Sequence, residues 1–199
     1  MSERPFLLGL TGSIGMGKST TAALFAEMGI PVWDADAAVH RLYARGGAAV
    51  PAIGELCPDA IQDGAVSREA LKAWIADDPS ALRRIEAVVH PLVAADRAAF
   101  IEAQGVAPLV VLDIPLLYET GAEAGLDAVL VVTAPPEVQR ARVMQRPGMT
   151  EAQFETILAK QVPDHEKRAR ADHVIETRSL EQTRAEVQAL VDNLKVAHA

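Results

Sequence analysis

The chain has 199 residues, half of them hydrophobic and 23% charged, which predicts one α/β unit with insertions and excludes a disordered chain. Its formal net charge of −8 argues against a general nucleic-acid or anionic-membrane binder, because such proteins usually carry a basic surplus. The single cysteine, Cys57, excludes an internal disulfide, and without a signal-peptide pattern or an apolar run of about 20 residues the chain is expected to be soluble and cytoplasmic.

The first predicted element is a strand over the apolar run from Phe6 to Leu10, and a glycine-rich loop follows it directly. This loop matches the P-loop pattern G-x-x-x-x-G-K-[ST] at every fixed position. Its glycines let the backbone curl so that successive N–H groups face inward, where phosphate oxygens can approach. The motif therefore predicts a nucleoside triphosphate site made of Gly12, Ser13, Ile14, Gly15, Met16, Gly17, Lys18, Ser19 and Thr20.

A helix is predicted behind the loop, from Lys18 to Met28. Its positive end would point at the phosphates, so that Lys18 reaches the β- and γ-phosphates and the Ser19 hydroxyl coordinates Mg²⁺. The alternative is a chance glycine-rich turn, but strand, loop and helix follow in the order that the motif requires. One face of the helix is predicted to contain Ala22, Phe25 and Ala26.

The second predicted strand, Pro31 to Trp33, is followed by two acids, Asp34 and Asp36. Ligands in open α/β sheets bind beyond the carboxyl ends of the strands, so we expect both acids near the γ-phosphate. Asp36 is the candidate for accepting the proton of an attacking hydroxyl or fixing its orientation. The alternative is that Asp34 or Asp36 only caps the helix that runs toward Tyr43, and the two roles can be divided between them.

A long region of helices and turns, roughly residues 37–105, separates the second strand from the third and is interpreted as a helical substrate-binding insertion. Ser67 and Ser80 are predicted to cap helices that follow them, and Pro91 is predicted to open another helix. His90, just before that proline, is expected either to contact a substrate phosphate or to cap a helix.

Two nearly continuous runs of Val and Leu, Leu109 to Leu112 and Ala128 to Val132, predict central strands that are covered on both faces. Asp113 ends the first of these runs, an arrangement that places an acid beside the metal of a P-loop. Many buried strands end in Asp, so the pattern is weak alone. Together with the P-loop it predicts that Asp113 holds Mg²⁺ through water.

A helical lid is predicted over about residues 137–171. It contains a first helix after Pro135 and Pro136, and a second helix that starts at a capping box formed by Thr150 and Gln153. Downstream, His173 to Ile175 is the last predicted strand, which completes a five-stranded parallel sheet flanked by helices, the architecture of a P-loop NTPase. The final helix is expected to pack on that sheet through Leu180, Val187, Leu190, Val191 and Leu194.

Three arginines lie close together on the first lid helix. Arg142 and Arg146 are four residues apart and are predicted to share a face, where they can grip phosphate oxygens and offset the charge that develops during phosphoryl transfer. Arg140 points elsewhere and is expected in solvent, which is also the alternative for the other two. A second basic run is interpreted as an exposed, salt-bridged helix face and contains Lys167, Arg168 and Arg170.

Several segments together resemble the dephospho-coenzyme A kinase family. They are GSIGMGKS, the DAD of Asp34 to Asp36, the HP at His90, DIPLLYE from Asp113 to Glu119, and KQVPDHEKRARADHVI from Lys160 to Ile175. A P-loop and a strand-terminal Asp occur in many kinases, whereas DAD, DIPLL[FY]E and Q-x-P-x-x-x-K-x-x-x-A-D together are specific to this family. The resemblance extends from the first strand to Ile175.

This resemblance implies ATP-dependent phosphorylation of the ribose 3′-hydroxyl of dephospho-coenzyme A, the last step of coenzyme A synthesis, in a single domain with ATP and Mg²⁺ as cofactors. Small-molecule substrate is the expected partner, without nucleic acid or membrane, and the protein is expected to be a monomer or a small homo-oligomer. Asp36 would activate or orient the hydroxyl, and Arg142 and Arg146 would be the lid arginines. The residues implied near substrate are Asp34, His90 and Glu119.

The chain departs from the family pattern at two places. Family members often have Asp-Asn after the last strand, near the nucleotide base, where this chain has Glu176 and Thr177. Met16 stands where the loop usually has a small residue. Since that position needs only a backbone N–H, phosphate binding is expected to be retained.

Other functions share the P-loop. A nucleoside or nucleoside monophosphate kinase would also have the helical insertion and the arginine lid, but DAD and DIPLLYE disfavour it. A regulatory P-loop ATPase would not need an acid pair beside a helical insertion together with an arginine lid. A GTPase switch is disfavoured because its N-K-x-D motif needs an asparagine, and the only asparagine of the chain is Asn193.

Overall fold

The computed structural model describes residues 4–105 and 107–197, which form two compact units. One unit contains the described residues up to Trp33 and those from Gln104 onward, and the other is Asp34–Ala103. In the described part of the chain the strands are β1 Phe6–Thr11, β2 Val32–Asp34, β3 Ile61–Gln62, β4 Ala65–Val66, β5 Leu109–Asp113, β6 Ala128–Thr133 and β7 His173–Glu176. The α-helices are α1 Lys18–Glu27, α2 Ala35–Tyr43, α3 Val50–Leu56, α4 Arg68–Asp77, α5 Ala81–Ala103, α6 Pro136–Met144, α7 Glu151–Ala159, α8 Asp164–Arg170 and α9 Leu180–Ala197.

The first unit is built around a five-stranded parallel sheet with the strand order β2-β5-β1-β6-β7, as predicted. Strands β5 and β6 are buried along their whole lengths, which confirms that their unbroken apolar runs mark central strands. Strand β1 lies between them, with Leu10 in register with Asp113 on one side and with Leu130 on the other. The loop after β1 therefore leaves from the middle of the sheet, at the point where the strand order reverses.

Helices α1 and α9 cover the sheet and share its main hydrophobic core. The predicted stripe of α9 is confirmed except at one position, since Leu180 is 56% exposed. In the predicted face of α1, Phe25 is buried and Ala22 packs against the core, whereas Ala26 is exposed, so the prediction was wrong at Ala26. Leu24 and Thr21 are also buried, so the buried face of α1 extends beyond the predicted residues.

The second unit has its own core, formed mainly by α3, α4 and α5. The Ser67 hydroxyl accepts from the N–H of Ala70 at 3.3 Å and caps α4 as predicted. The sequence analysis missed the short β3–β4 hairpin, whose loop residues Asp63 and Gly64 both have positive φ, 51° and 79°. An Asp-Gly pair is a recognised signal for such a type I′ turn, so the hairpin could have been found.

Pro91 does not open a new helix, as the sequence analysis expected, but lies inside the continuous 23-residue helix α5. Proline has no N–H to donate to the carbonyl of Ala87, four residues earlier. Ala87 is exposed, so its carbonyl can bond to water instead. The apolar face continues through the proline, because Val89 before it and Leu92 after it pack on the same core. That burial stabilises a helix that the local rule would end.

Candidate active site

The P-loop connects the central strand β1 to α1, and its shape depends on glycine at two positions. Gly15 and Gly17 have φ values of 78° and 89°, a region that disfavours side chains. A Cβ on Gly15 would lie 2.5 Å from Cγ2 of Val143, and a Cβ on Gly17 would lie 2.8 Å from the Thr177 hydroxyl. The backbone therefore approaches α6 and the end of β7 more closely than any other residue type allows.

The P-loop lysine and the acid at the end of β5 form an ion pair: Nζ of Lys18 bonds to Oδ1 of Asp113. Asp113 is 2% exposed, and its strand neighbours the strand that leads into the loop. Ser19 follows Lys18 in the first turn of α1 and is exposed. A hydroxyl and a carboxylate are oxygen ligands of the kind that Mg²⁺ prefers, so the residues at this edge of the sheet fit the ion.

Met16 anchors the loop through its side chain as well as its backbone. It is 3% exposed, packs in the main core, and its Sδ accepts from the N–H of Ala134 at 3.0 Å. The sequence analysis gave this position only a backbone role. A small residue there would leave the contact with the end of β6 unmade.

Thr177 connects the P-loop to helix α6. Its buried hydroxyl donates to the carbonyl of Met16 at 2.9 Å and accepts from Nη1 of Arg142 at 2.8 Å. Nη2 of Arg142 also donates to the Thr177 carbonyl, at 2.5 Å. The residue that departs from the family pattern therefore has a structural function in this chain.

Arg146 is not part of the helix that carries Arg140 and Arg142. Helix α6 ends at Met144, so Arg146 lies beyond it, exposed and just before Pro147. The helix on which Arg142 and Arg146 were expected to share a face therefore stops short of Arg146, because Pro147 disfavours helical backbone at the residue before it. Arg140 pairs with Glu151 on the surface, as its predicted solvent position requires.

Lys167 was expected on an exposed face, but its side chain is completely buried. Its Nζ lies 2.8 Å from Oε1 of Glu119, and that oxygen also accepts from the N–H of Val162 at 2.9 Å. Burial tends to raise the pKa of Glu119, but Lys167 and the N–H of Val162 outweigh it and hold the pKa below its ordinary value. Arg168 and Arg170 do form surface ion pairs, with Asp164 and Glu123.

Two glutamines that the sequence analysis did not single out contact the P-loop. Nε2 of Gln139 donates to the carbonyl of Ile14 at 2.8 Å, and Oε1 of Gln161 accepts from the N–H of Ile14 at 3.2 Å. Gln161 is the first residue of the Q-x-P-x-x-x-K pattern, which was a signal for it. Gln139 is buried in α6, and polarity at a core position was the available signal.

The remaining candidates lie in the second unit. Asp34 caps α2 by accepting from the N–H of Ala37 at 3.0 Å, so the capping alternative is confirmed for this residue. Asp36 is exposed in the first turn of the same helix, and His90 is exposed on α5. Their predicted substrate roles stay predictions, as does the predicted substrate role of Glu119.

Residues 4–105 and 107–197 contain no group of three or more His, Cys, Asp or Glu side chains placed to hold a metal ion. None of the helices described is both long enough and apolar enough to cross a bilayer.

The chain is similar in sequence to dephospho-CoA kinases over most of its length. A family model described as dephospho-CoA kinase matches residues 6–182. The dephospho-CoA kinase of Cereibacter sphaeroides is 68% identical over 192 residues, which cover 96% of this chain and 97% of the relative. The dephospho-CoA kinase of Jannaschia sp. is 60% identical over 189 residues, 95% of this chain and 97% of the relative.

Two solved structures share the fold of this chain. TT1252 from Thermus thermophilus matches with a TM-score of 0.82 and 40% identity over 96% of this chain and 98% of its own. A dephospho-CoA kinase from Campylobacter jejuni matches with a TM-score of 0.68 and 21% identity over 94% of this chain and 96% of its own, a likeness of fold.

Proposed function

The chain belongs to the dephospho-CoA kinase family and is a kinase of the last step of coenzyme A synthesis, and we propose that its P-loop holds the ATP whose γ-phosphoryl group passes to the ribose 3′-hydroxyl of dephospho-CoA. The observation that carries this proposal is the P-loop itself, which leaves the middle of the sheet with glycine at both positions of positive φ. Apart from the N–H groups of Ile14 and Met16, which bond within the protein, the loop and the N-terminus of α1 supply donors for phosphate oxygens.

Lys18 is the residue of the loop proposed to stay in contact with the phosphoryl group while it is transferred. Its ion pair with Asp113 holds the ammonium at the carboxyl end of the sheet, where phosphates are expected. On this proposal the ammonium exchanges part of its contact with Asp113 for the β- and γ-phosphates, and so offsets negative charge during transfer.

Mg²⁺ is the cofactor that fits Ser19 and Asp113. When bound, the ion supplies charge neutralisation to the phosphates. Ser19 contributes a hydroxyl ligand, and Asp113 contributes a carboxylate that acts through water. Asp113 would therefore serve both the ion and Lys18.

Asp36 is the proposed group that accepts or orients the proton of the ribose hydroxyl. Its exposure in the first turn of α2 leaves the carboxylate accessible, while Asp34 supplies the cap of that helix. The two roles that the sequence left open would thus be divided between these acids. Arg146, exposed beyond α6, is the proposed lid arginine with a free guanidinium for phosphate, and Arg142 is the one tied to the loop through Thr177.

A direct assay tests the proposed substrate. Protein is mixed with Mg-ATP and either dephospho-CoA or a panel of nucleosides and nucleoside monophosphates, and ADP release is followed. The expected result is turnover with dephospho-CoA and a product phosphorylated at the ribose 3′-oxygen. Preferential turnover of a nucleoside monophosphate would reject the proposed acceptor.

A further inference from the structure

Both backbone polar groups of Ile14, at the tip of the P-loop, are bound by glutamine side chains. Gln139 donates to the Ile14 carbonyl at 2.8 Å and is only 7% exposed, so this donor is fixed by the surrounding core. Gln161 accepts from the Ile14 N–H at 3.2 Å and lies between α7 and α8. Two segments that are separate in the chain therefore meet at one residue of the loop.

Ile14 and Gly15 occupy the centre of a tight turn, which the N–H of Met16 closes by donating to the carbonyl of Ser13 at 3.1 Å. The φ of Gly15, 78°, is the value that a type II turn requires at its third residue. Type I and type II turns differ by a rotation of about 180° of the peptide between the two central residues. The turn therefore has two possible orientations of the Ile14–Gly15 peptide, and contacts with surrounding groups determine which one is adopted.

The contact with Gln139 determines the orientation of this peptide. In a planar trans peptide the C=O and the N–H point in opposite directions. Because Gln139 holds the Ile14 carbonyl toward α6, the N–H of Gly15 points away from α6. Gln161 fixes the preceding peptide through the Ile14 N–H, which prevents the two central residues from rotating together.

We propose that Gln139 and Gln161 are positioning residues for phosphoryl transfer, which hold the Ile14–Gly15 peptide so that the Gly15 N–H is aimed at a phosphate oxygen. This inference rests on the proposed binding of ATP by the P-loop. Donors that are aimed before the reaction need no reorganisation during it, so they favour the transition state. Loss of either glutamine lets the peptide rotate, and the phosphates then bind in a poorly aligned arrangement.

The test replaces each glutamine by the unbranched, apolar methionine. Gln161→Met and Gln139→Met are expected to lower kcat by about 10-fold or more, since small misplacements of reacting groups carry large rate penalties. KM for ATP and the thermal unfolding midpoint should stay close to the wild-type values. Gln145→Met is the matched control, because Gln145 is exposed just after α6 and should leave kcat unchanged.

Two further readouts separate a positioning role from a merely structural one. Hydrogen exchange of the Ile14 amide should be slow in the wild type and fast in Gln161→Met. The double variant should lose less activity than the product of the two single losses, because both glutamines act on the same peptide. If Gln139→Met does not fold, the decision rests on Gln161→Met, whose residue is only half-buried.

An unchanged kcat in Gln161→Met, or fast exchange of the Ile14 amide in the wild type, would overturn the inference. Lys18→Ala distinguishes that failure from failure of the proposed function. Loss of ATP binding in Lys18→Ala with an unchanged kcat in Gln161→Met rejects only the positioning role. Wild-type ATP binding together with wild-type turnover in Lys18→Ala would reject the P-loop as the nucleotide site.

Discussion

Lys167 has no exposed side-chain surface, and its Nζ lies 2.8 Å from Oε1 of Glu119. The pair connects α8 to the segment that follows β5, and through the N–H of Val162 it also holds the residue beside Gln161. A charge in the interior is tolerated only while its partner is present. Removal of either side chain of the pair is therefore expected to cost more stability than removal of a partner from a surface ion pair.

Lys167→Met is expected to lower the free energy of unfolding by about 3 kcal/mol or more, because it leaves the Glu119 carboxylate without its counter-charge. Urea unfolding at neutral pH measures the change. The control is Arg168→Met, which breaks an exposed pair with Asp164 and should cost about 0–1 kcal/mol. Equal effects of the two variants would contradict the assigned importance of the buried pair.

Acid should weaken the contribution of Glu119 in a defined direction. The pKa of Glu119 is lower in the folded protein than in the unfolded chain, so its stabilisation is fully present above the unfolded pKa of about 4.3 and is lost as the pH falls through the folded pKa. The stability advantage of the wild type over Glu119→Gln should therefore shrink below about pH 4.3. Unfolding free energies measured from pH 7 to pH 3 check this, and an advantage that grows with acidity would refute it.

Asp36→Asn is expected to lower kcat by about 10²-fold with near-normal ATP affinity, because a proton-accepting or orienting group acts mainly in the transition state. Steady-state kinetics with dephospho-CoA, together with calorimetric ATP binding, give the two quantities. Asp77→Asn is the matched control, since Asp77 is an exposed acid on α4 of the same unit. If Asp36→Asn turns over at the wild-type rate, Asp36 has only a local role in α2.

Thr177→Val should destabilise the fold by about 1–3 kcal/mol, because the carbonyl of Met16 and the guanidinium of Arg142 lose a buried partner. Thr177→Ser keeps the hydroxyl and should remain close to the wild type. Denaturant unfolding of the two variants side by side measures the difference. A valine variant as stable as the serine variant would show that water replaces the hydroxyl at no cost.

The five strands of the parallel sheet were predictable almost to the residue, because unbroken Val and Leu runs such as Ala128 to Val132 leave few alternatives. Local caps were equally readable: Thr150 and Gln153 form the predicted capping box. These signals depend on residues that are near one another in the chain.

Apart from the β3–β4 hairpin, whose Asp-Gly signal is local, the main features that were not predicted depend on distant partners. Lys167 looks like part of a solvated basic run until Glu119 is placed beside it by the fold. In the sequence Thr177 is only a departure from the family pattern, whereas in the structure its hydroxyl donates to the carbonyl of Met16. For Pro91, burial of the residues on either side outweighs the local rule against proline inside a helix.

The central position of β1 has a consequence for damaged forms of the protein. Its Leu8 and Leu10 are fully buried, and it has a hydrogen-bonded neighbour along each edge, so fluctuations that release termini or surface helices leave it paired. A variant destabilised at a site away from the residues that hold the loop, such as Gln161, should therefore unfold completely before the remaining folded molecules lose the pairing of β1. Low activity in a cell extract would then reflect a low concentration of folded protein, while each folded molecule keeps its normal turnover rate.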